Sequence, residues 1–234
     1  MKEKFRVIGC LMCILLLVVG GFPVTAEAEE SGIFNAEVEV TFGQTQAREM
    51  LAMINEFRTG SDAWAWDASD EEKVRYDGLG ELQYDYELER IAMQRAVEVA
   101  LSFSHTRPNG ERFFTAYGDY AFWTQGENVA VGNTTAAAVF IGWQETDKPY
   151  SGQGHRRNML NSDFNAVGIG HVYYNGYHYW TQEFGYVSEP DTVPVPADDN
   201  EKSVSVEIHS SMLSNMAVKF QNVPDACWKH PSLP

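Results

Sequence analysis

Cysteine is scarce in this chain: there are three among 234 residues. Cys10 and Cys13 sit inside an apolar N-terminal run, so only Cys227 lies outside it. A disulfide scaffold needs pairs, and the fold must therefore stand on its hydrophobic core. Positive charge is scarce as well. Seventeen lysines and arginines face 33 acids, giving a net charge of −16, a balance that repels nucleic acid and anionic lipid. Also lacking are an internal repeat, an H-E-x-x-H metal motif and a nucleophile elbow around Ser104 or Ser151. Past the N-terminal segment no apolar run is long enough to span a bilayer.

Much of what is present argues for a folded, exported protein. Lys2, Lys4 and Arg6 precede the apolar run Val7 to Val19, followed by Gly20, Gly21, Pro23 and small residues, the three-part design of a signal peptide. Cleavage is expected after Ala26, with Ala28 the alternative. Val7-Ile8-Gly9-Cys10 resembles a lipoprotein box, but most of the apolar run follows the cysteine, so it reads as part of the discarded signal. Removing residues 1–26 takes away three basic residues and one acid, leaving a still more acidic exported chain. With 44% apolar and 13% aromatic residues there is enough material for a core. The expected division is a signal peptide (1–26), an N-terminal lead-in (27–43), one domain (44–187), an acidic Pro-containing linker (188–202) and a tail of unknown structure (203–234).

Within this division, Glu37-Val38-Glu39-Val40 reads either as an edge strand or as a mobile lead-in. Ala47, Met50, Leu51, Ile54 and Phe57 recur at helical steps, and Thr59-Gly60 stops them. The acidic connection over 60–80 holds Trp64 and Trp66, aromatics of the kind that pin such a loop to a core. Asp85 is the expected N-cap of a second helix ending near Ser104, and a threonine in Asn133-Thr134-Thr135 is the expected cap of a third. The two-residue signature Asn175-Gly176 predicts a type I′ hairpin between Val167–Tyr174 and Tyr177–Tyr186. If Tyr174 opposes Tyr177, then Val167, His171, Trp180 and Phe184 share one face. His171 and His178 then read as strand histidines beside aromatics rather than ligands. Val204, Val206 and Ile208 alternate like one further strand.

Four segments hold a histidine or an acid in a fixed setting: His105 after the second helix, Glu127 between Gly126 and Asn128, Glu145 at the end of the third helix, and His155 in Ser151-Gly152-Gln153-Gly154-His155-Arg156-Arg157-Asn158-Met159-Leu160. Two imidazoles and two carboxylates suit the first shell of a divalent metal. Of Arg156 and Arg157, one is expected to bind a carboxylate internally and the other to be solvated.

In this order, several segments resemble the CAP superfamily of cysteine-rich secretory, antigen 5 and pathogenesis-related 1 proteins, in its bacterial secreted branch. They are Asn55 to Arg58; Leu82-Gln83-Tyr84-Asp85 with Leu88 and Ala92; Ser104-His105-Thr106-Arg107-Pro108-Asn109-Gly110; Gly126-Glu127-Asn128-Val129-Ala130; Trp143 with Glu145; Gly154 to Leu160; and Val167-Gly168-Ile169-Gly170 with Tyr179-Trp180-Thr181-Gln182. The resemblance covers about residues 45 to 186. It implies an α+β fold, an α-β-α sandwich with a small antiparallel sheet between helices, and a cleft carrying His105, Glu127, Glu145 and His155. In the family the acid of the third helix usually lies three residues after the tryptophan, whereas Glu145 lies two after Trp143. Asp147 is the alternative for that fourth place.

The expected function is an exported protein whose cleft binds a ligand, either a divalent cation such as Zn²⁺ or a lipid, in extracellular or envelope interactions. A metal-dependent, protease-like hydrolase and a purely structural tetrad are the alternatives, and the reading leans away from an enzyme. Expected partners are a small ligand, a lipid or an extracellular protein, with no nucleic acid and no membrane span after signal removal. The chain is expected to be a monomer, with a Cys227-linked dimer as the other option.

Overall fold

A computed structural model describes the backbone of residues 14–19, 22–28, 32–121 and 123–215, with side chains over 32–121 and 123–212. Its strands are β1 (Ile14–Val19), β2 (Phe22–Ala28), β3 (Ile33–Phe42), β4 (Trp64–Trp66), β5 (Lys73–Arg75), β6 (Gln83–Tyr84), β7 (Gln125–Val131), β8 (Ala166–Tyr174), β9 (Tyr177–Gly185) and β10 (Glu201–His209). Its helices are α1 (Gln44–Thr59), α2 (Tyr86–Leu101), α3 (Ala136–Gln144) and the short α4 (Gly154–Met159).

The sheet is built outward from the β8–β9 hairpin. Asn175 and Gly176 have φ of 48° and 86°, the two left-handed residues that a type I′ turn requires. Tyr174 opposes Tyr177, His171 opposes Trp180 and Val167 opposes Phe184. β7 adds to the far side of β9, and β3 joins β8 through Thr41 and Phe42. The order is β1-β2-β3-β8-β9-β7, with β10 paired to β3 and β6 parallel to β8.

Alternation along β8 sends successive residues to two different helical layers, which is what makes the fold an α-β-α sandwich. Val167 and Ile169, with Trp180 and Phe184 of β9, pack with Met50 and Ile54 of α1 and with Val139 and Trp143 of α3. Gly168 and Gly170 face α2 on the other side. A Cβ on Gly168 would lie 2.0 Å from the backbone of Leu88 and Glu89, and one on Gly170 2.2 Å from the Ala92 carbonyl. Only glycine allows so close an approach of helix to strand. α2 is capped where expected, Asp85 Oδ1 accepting from Leu88 N at 2.8 Å. Thr135 caps α3 through Ala138 N.

Both ends of the sequence enter this sheet. β3 is neither an edge strand nor a lead-in, since it pairs with β10 along Ile33–Thr41 and with β2 and β8 on its other side. Phe34, Val38 and Val40 of β3 and Val206 and Ile208 of β10 share one core with Ala96 and Val97 of α2. The sheet thus continues past the expected limits at 44 and 187. β1 and β2 lie where the signal segment is expected, and β2 reaches β3 at three residues only.

The acidic connection before β10 is extended, as its prolines require, but tied down. Tyr86 N donates to Asp191 O, Gln44 N to Asp198 O and Thr45 N to Asp199 Oδ1. The 60–80 connection contains the β4–β5 hairpin, with Trp64 buried under the Arg156 guanidinium. Cys227 lies outside the described residues, as does most of the tail.

Candidate functional site: a histidine and acid cleft at the sheet edge

β7 is the last strand of the sheet, and its alternation assigns Glu127 to the α2 face and Asn128 to the other. The first half of the site grows from Glu127. Its carboxylate is buried, with Oε2 2.7 Å from Arg95 Nε and Oε1 2.6 Å from His105 Nδ1. Arg95, itself fully buried in α2, also holds Glu98 at 2.6 Å, and Glu98 holds Arg107 at 2.8 Å. Burial raises the pKa of the Glu127 carboxyl, but the His105 hydrogen bond and the Arg95 charge outweigh it and keep it below its ordinary value.

Glu183, unremarked in the sequence, is directly across the ladder from Glu127. Burial, then the Glu127 charge, push its carboxyl well above the usual range. Tyr117 Oη donates to Glu183 Oε2 at 2.8 Å, while among the described residues no group donates to Oε1. A protonated Glu183 carboxyl can donate to Glu127, and that hydrogen bond adds to the upward shift. The spacing of Glu127 and Glu183 carries no signal of it; only their register does.

The second half grows from α3 and α4. Glu145 ends α3 in the left-handed conformation, φ 47° and ψ 38°. Its Oε1 lies 2.6 Å from His155 Nδ1, and its Oε2 accepts from His155 N at 3.0 Å and Arg156 N at 3.3 Å. The partner of His155 is therefore Glu145, while Asp147 is exposed and makes none of these contacts. The expectation that one arginine of the pair binds a carboxylate is corrected. Arg156 is buried but donates to the carbonyls of Trp64, Gln144 and Asp62, and burial lowers its pKa to about 10.

Two asparagines stitch the halves together. Asn128 Nδ2 donates to His155 O at 3.1 Å and to Gln182 Oε1 at 2.8 Å, while Asn158 Nδ2 donates to Glu127 O at 3.1 Å and Asn128 Oδ1 at 2.8 Å. His171 and His178 stay apart from this site. His171 stacks on Trp180 at 3.7 Å, its Nε2 lies 2.9 Å from His178 Nδ1, and burial lowers its pKa to about 4.

All four expected site residues line one cleft of about 460 Å³, together with Ser151, Gly152, Gly154, Arg157 and Asn158. A second lobe of about 400 Å³ continues past His105 toward Arg112, Phe113 and Gln125. The side chains of His105 and His155 are 57% and 32% exposed, so both rings reach solvent. The geometry departs from a four-ligand metal shell. Among the described residues no group of three or more His, Cys, Asp or Glu side chains is arranged to hold a metal. Both acids are turned onto Nδ1 of a histidine. An ionised carboxylate only accepts, so in the neutral ring each Nδ1 carries the proton and each Nε2 keeps its lone pair. Two outward lone pairs backed by carboxylates fit a cation held by imidazole, with the acids orienting the ligands rather than being ligands.

An α-β-α sandwich with a histidine–acid pair from each layer, meeting at the edge of its sheet, defines the class of this protein. Residues 51–184 match the cysteine-rich secretory protein family, CAP, and the chain belongs to that family. The uncharacterized protein YkwD of Bacillus subtilis (strain 168) is 31% identical over 111 residues, covering 46% of this chain and 40% of YkwD. The chain thus spans less than half the length of that relative. Solved structures to which the chain is similar include an outer surface protein from Borrelia burgdorferi, at 18% identity and TM-score 0.42, covering 62% of this chain and 95% of that one. They include NaASP2 with Zn²⁺, at 18% identity and TM-score 0.46, covering 75% and 90%. Venom allergen-like protein 4 of Schistosoma mansoni follows at 13% identity and TM-score 0.44, covering 66% and 94%.

Proposed function

We propose that this chain is an exported, non-catalytic binding module whose cleft takes a divalent cation such as Zn²⁺ on Nε2 of His105 and His155. The observation that carries this reading is the pairing of both Nδ1 atoms with carboxylates at 2.6 Å, which leaves both Nε2 lone pairs on the cleft. Glu127 and Glu145 hold the ring orientations and raise ligand basicity. A bound cation would supply a positive centre to which an anionic or carbonyl ligand could attach. A polar lining of imidazole, carboxylate, carboxamide and guanidinium favours such a ligand over a lipid. Hydrolysis would need a carboxylate free to take a proton from water, and Glu127 and Glu145 are both committed to histidines. Export rests on the N-terminal segment. Among the described residues no helix is long and apolar enough to cross a membrane.

Titration of metal-stripped protein with Zn²⁺ tests the reading. Wild type is expected to bind one equivalent, and His105→Ala or His155→Ala to lose that binding while retaining the thermal unfolding transition. Absence of binding in folded wild type overturns it.

A further inference from the structure

The arginines of this acidic protein are almost all consumed. Of the nine described, five pair with a carboxylate. Arg58 and Arg156 are buried against backbone carbonyls. The remaining two, Arg112 and Arg157, meet no carboxylate among the described residues, and both line the cleft, one in each lobe on either side of His105. Each is held over an aromatic ring, Arg112 at 4.8 Å from Phe114 and Arg157 at 4.0 Å from Tyr150. An aromatic ring beneath a guanidinium fixes its plane and leaves donor edges for an oxyanion. Arg157 spends one of them on Tyr150 O. Arg112 spends none on a side chain or carbonyl of the described residues.

Between these cations the groove offers neutral hydrogen-bonding groups. Among the described residues the Gln125 carboxamide has no hydrogen-bond partner, and Asn158 uses its Nδ2 inward while its Oδ1 accepts no hydrogen bond. A free amide donor and a free carbonyl acceptor match the two polar groups of a peptide unit. The overall charge of −16 acts against a ligand that is anionic along its whole length. It tolerates one whose charges sit only where Arg112 and Arg157 wait.

We infer that the two-lobed cleft binds an extended peptide segment carrying two separated acidic side chains, one on Arg157 and one on Arg112, with its neutral stretch crossing His105. The inference rests on the cleft proposed above as a cation site and names what lies across it. The two arginines set which peptides bind, and the histidines anchor the middle.

Fluorescence anisotropy on the full exported chain tests this, with labelled peptides carrying two glutamates separated by about two to six neutral residues, a span set by the length of an extended chain. At least one spacing is expected to bind at about 10–100 µM, with the glutamine counterpart weaker by about tenfold or more. Arg112→Gln and Arg157→Gln should each weaken binding about fivefold and multiply when combined, while Arg90→Gln, whose guanidinium pairs with Glu87 on α2 and does not line the cleft, leaves it unchanged. Equal binding of the neutral peptide, an unaffected double variant, or linear polyphosphate displacing every peptide in an Arg112- and Arg157-dependent way overturns the inference. Zn²⁺ titration of the double variant separates the two claims, because neither arginine touches Nε2 of a histidine. Zn²⁺ binding without peptide binding sinks this inference alone. Peptide binding without Zn²⁺ binding sinks the cation reading alone.

Discussion

The two faces of the sheet solve the same problem, fixing one histidine beside one acid, by different physics. On the α2 face Glu127 is held by charge: Arg95, Glu98 and Arg107 form a buried chain of alternating sign, and Glu183, its carboxyl pushed well above the usual range, lies across the ladder. On the α1 and α3 face Glu145 is held by backbone amides of α4, near the surface, and the guanidinium of the neighbouring buried Arg156 is hydrogen-bonded by carbonyls, with the Asp62 and Glu145 charges acting on it from further off. Burying charge is tolerable only when every member is paired, so the first arrangement is brittle and the second forgiving. The difference predicts that equivalent changes on the two faces will have unequal costs.

The widest gap should come from the strand that serves both faces. Gly170→Ala drives a Cβ into the Ala92 carbonyl and should cost more than about 4 kcal/mol or prevent folding, measured by urea denaturation. Ile169→Val, its neighbour on the other face, should cost about 1 kcal/mol. Similar losses at both positions would mean that α2 is free to move away from the sheet.

Next in size is the removal of a buried guanidinium. Arg95→Met leaves buried Glu127 with His105 alone and Glu98 with Arg107 alone and should cost about 3–5 kcal/mol, while Arg156→Met leaves three carbonyls without their donor and should cost about 1–3 kcal/mol. The comparison breaks if the order reverses.

Acid should act on the α1 face through His171. Its imidazole is buried on Trp180 and its pKa falls from 6.5 to about 4. The unfolded chain therefore binds a proton that the folded one refuses, so stability falls as pH drops through that window. The loss should reach about 2 kcal/mol between pH 6.5 and about pH 5. His171→Phe should flatten that slope in denaturant titrations at several pH values. Glu127, whose carboxyl is held below its ordinary 4.5, adds its own loss only at lower pH.

The smallest effect on stability, and the sharpest test of the two histidine supports, is carboxylate to carboxamide. Glu145→Gln keeps its shape at a partly exposed site and should cost about 1 kcal/mol in folding but about 10–100-fold in Zn²⁺ affinity. Glu127→Gln should lose as much affinity and more stability, since Arg95 loses its second carboxylate. Unchanged metal affinity in both variants would mean that the carboxylates do not orient the rings.

Local chemistry was legible from the sequence wherever it was self-contained. Asn175-Gly176 named the turn, and the turn named the register that put His171 on Trp180. Asp85 and a threonine at 135 capped the helices they precede. The family segments marked His105, Glu127, Glu145 and His155, and all four line one cleft. What they do there was not legible, because a carboxylate can face a metal or a histidine nitrogen with the same sequence around it. Nor could the spacing after Trp143 choose between Glu145 and Asp147, since the choice depends on a left-handed residue at the end of α3.

By itself, then, the sequence determined the periodicities, caps and turn, which depend on residues within a few positions of one another, and the family, which depends on the order of short segments along the chain. Only the tertiary structure decided that β3 and β10, from opposite ends of the chain, complete one sheet. Only it set Glu183 opposite Glu127, and Arg112 and Arg157 in the two lobes of one cleft. Those are contacts between distant segments. Their energies come from burial and charge compensation that exist only once the layers have closed around the sheet.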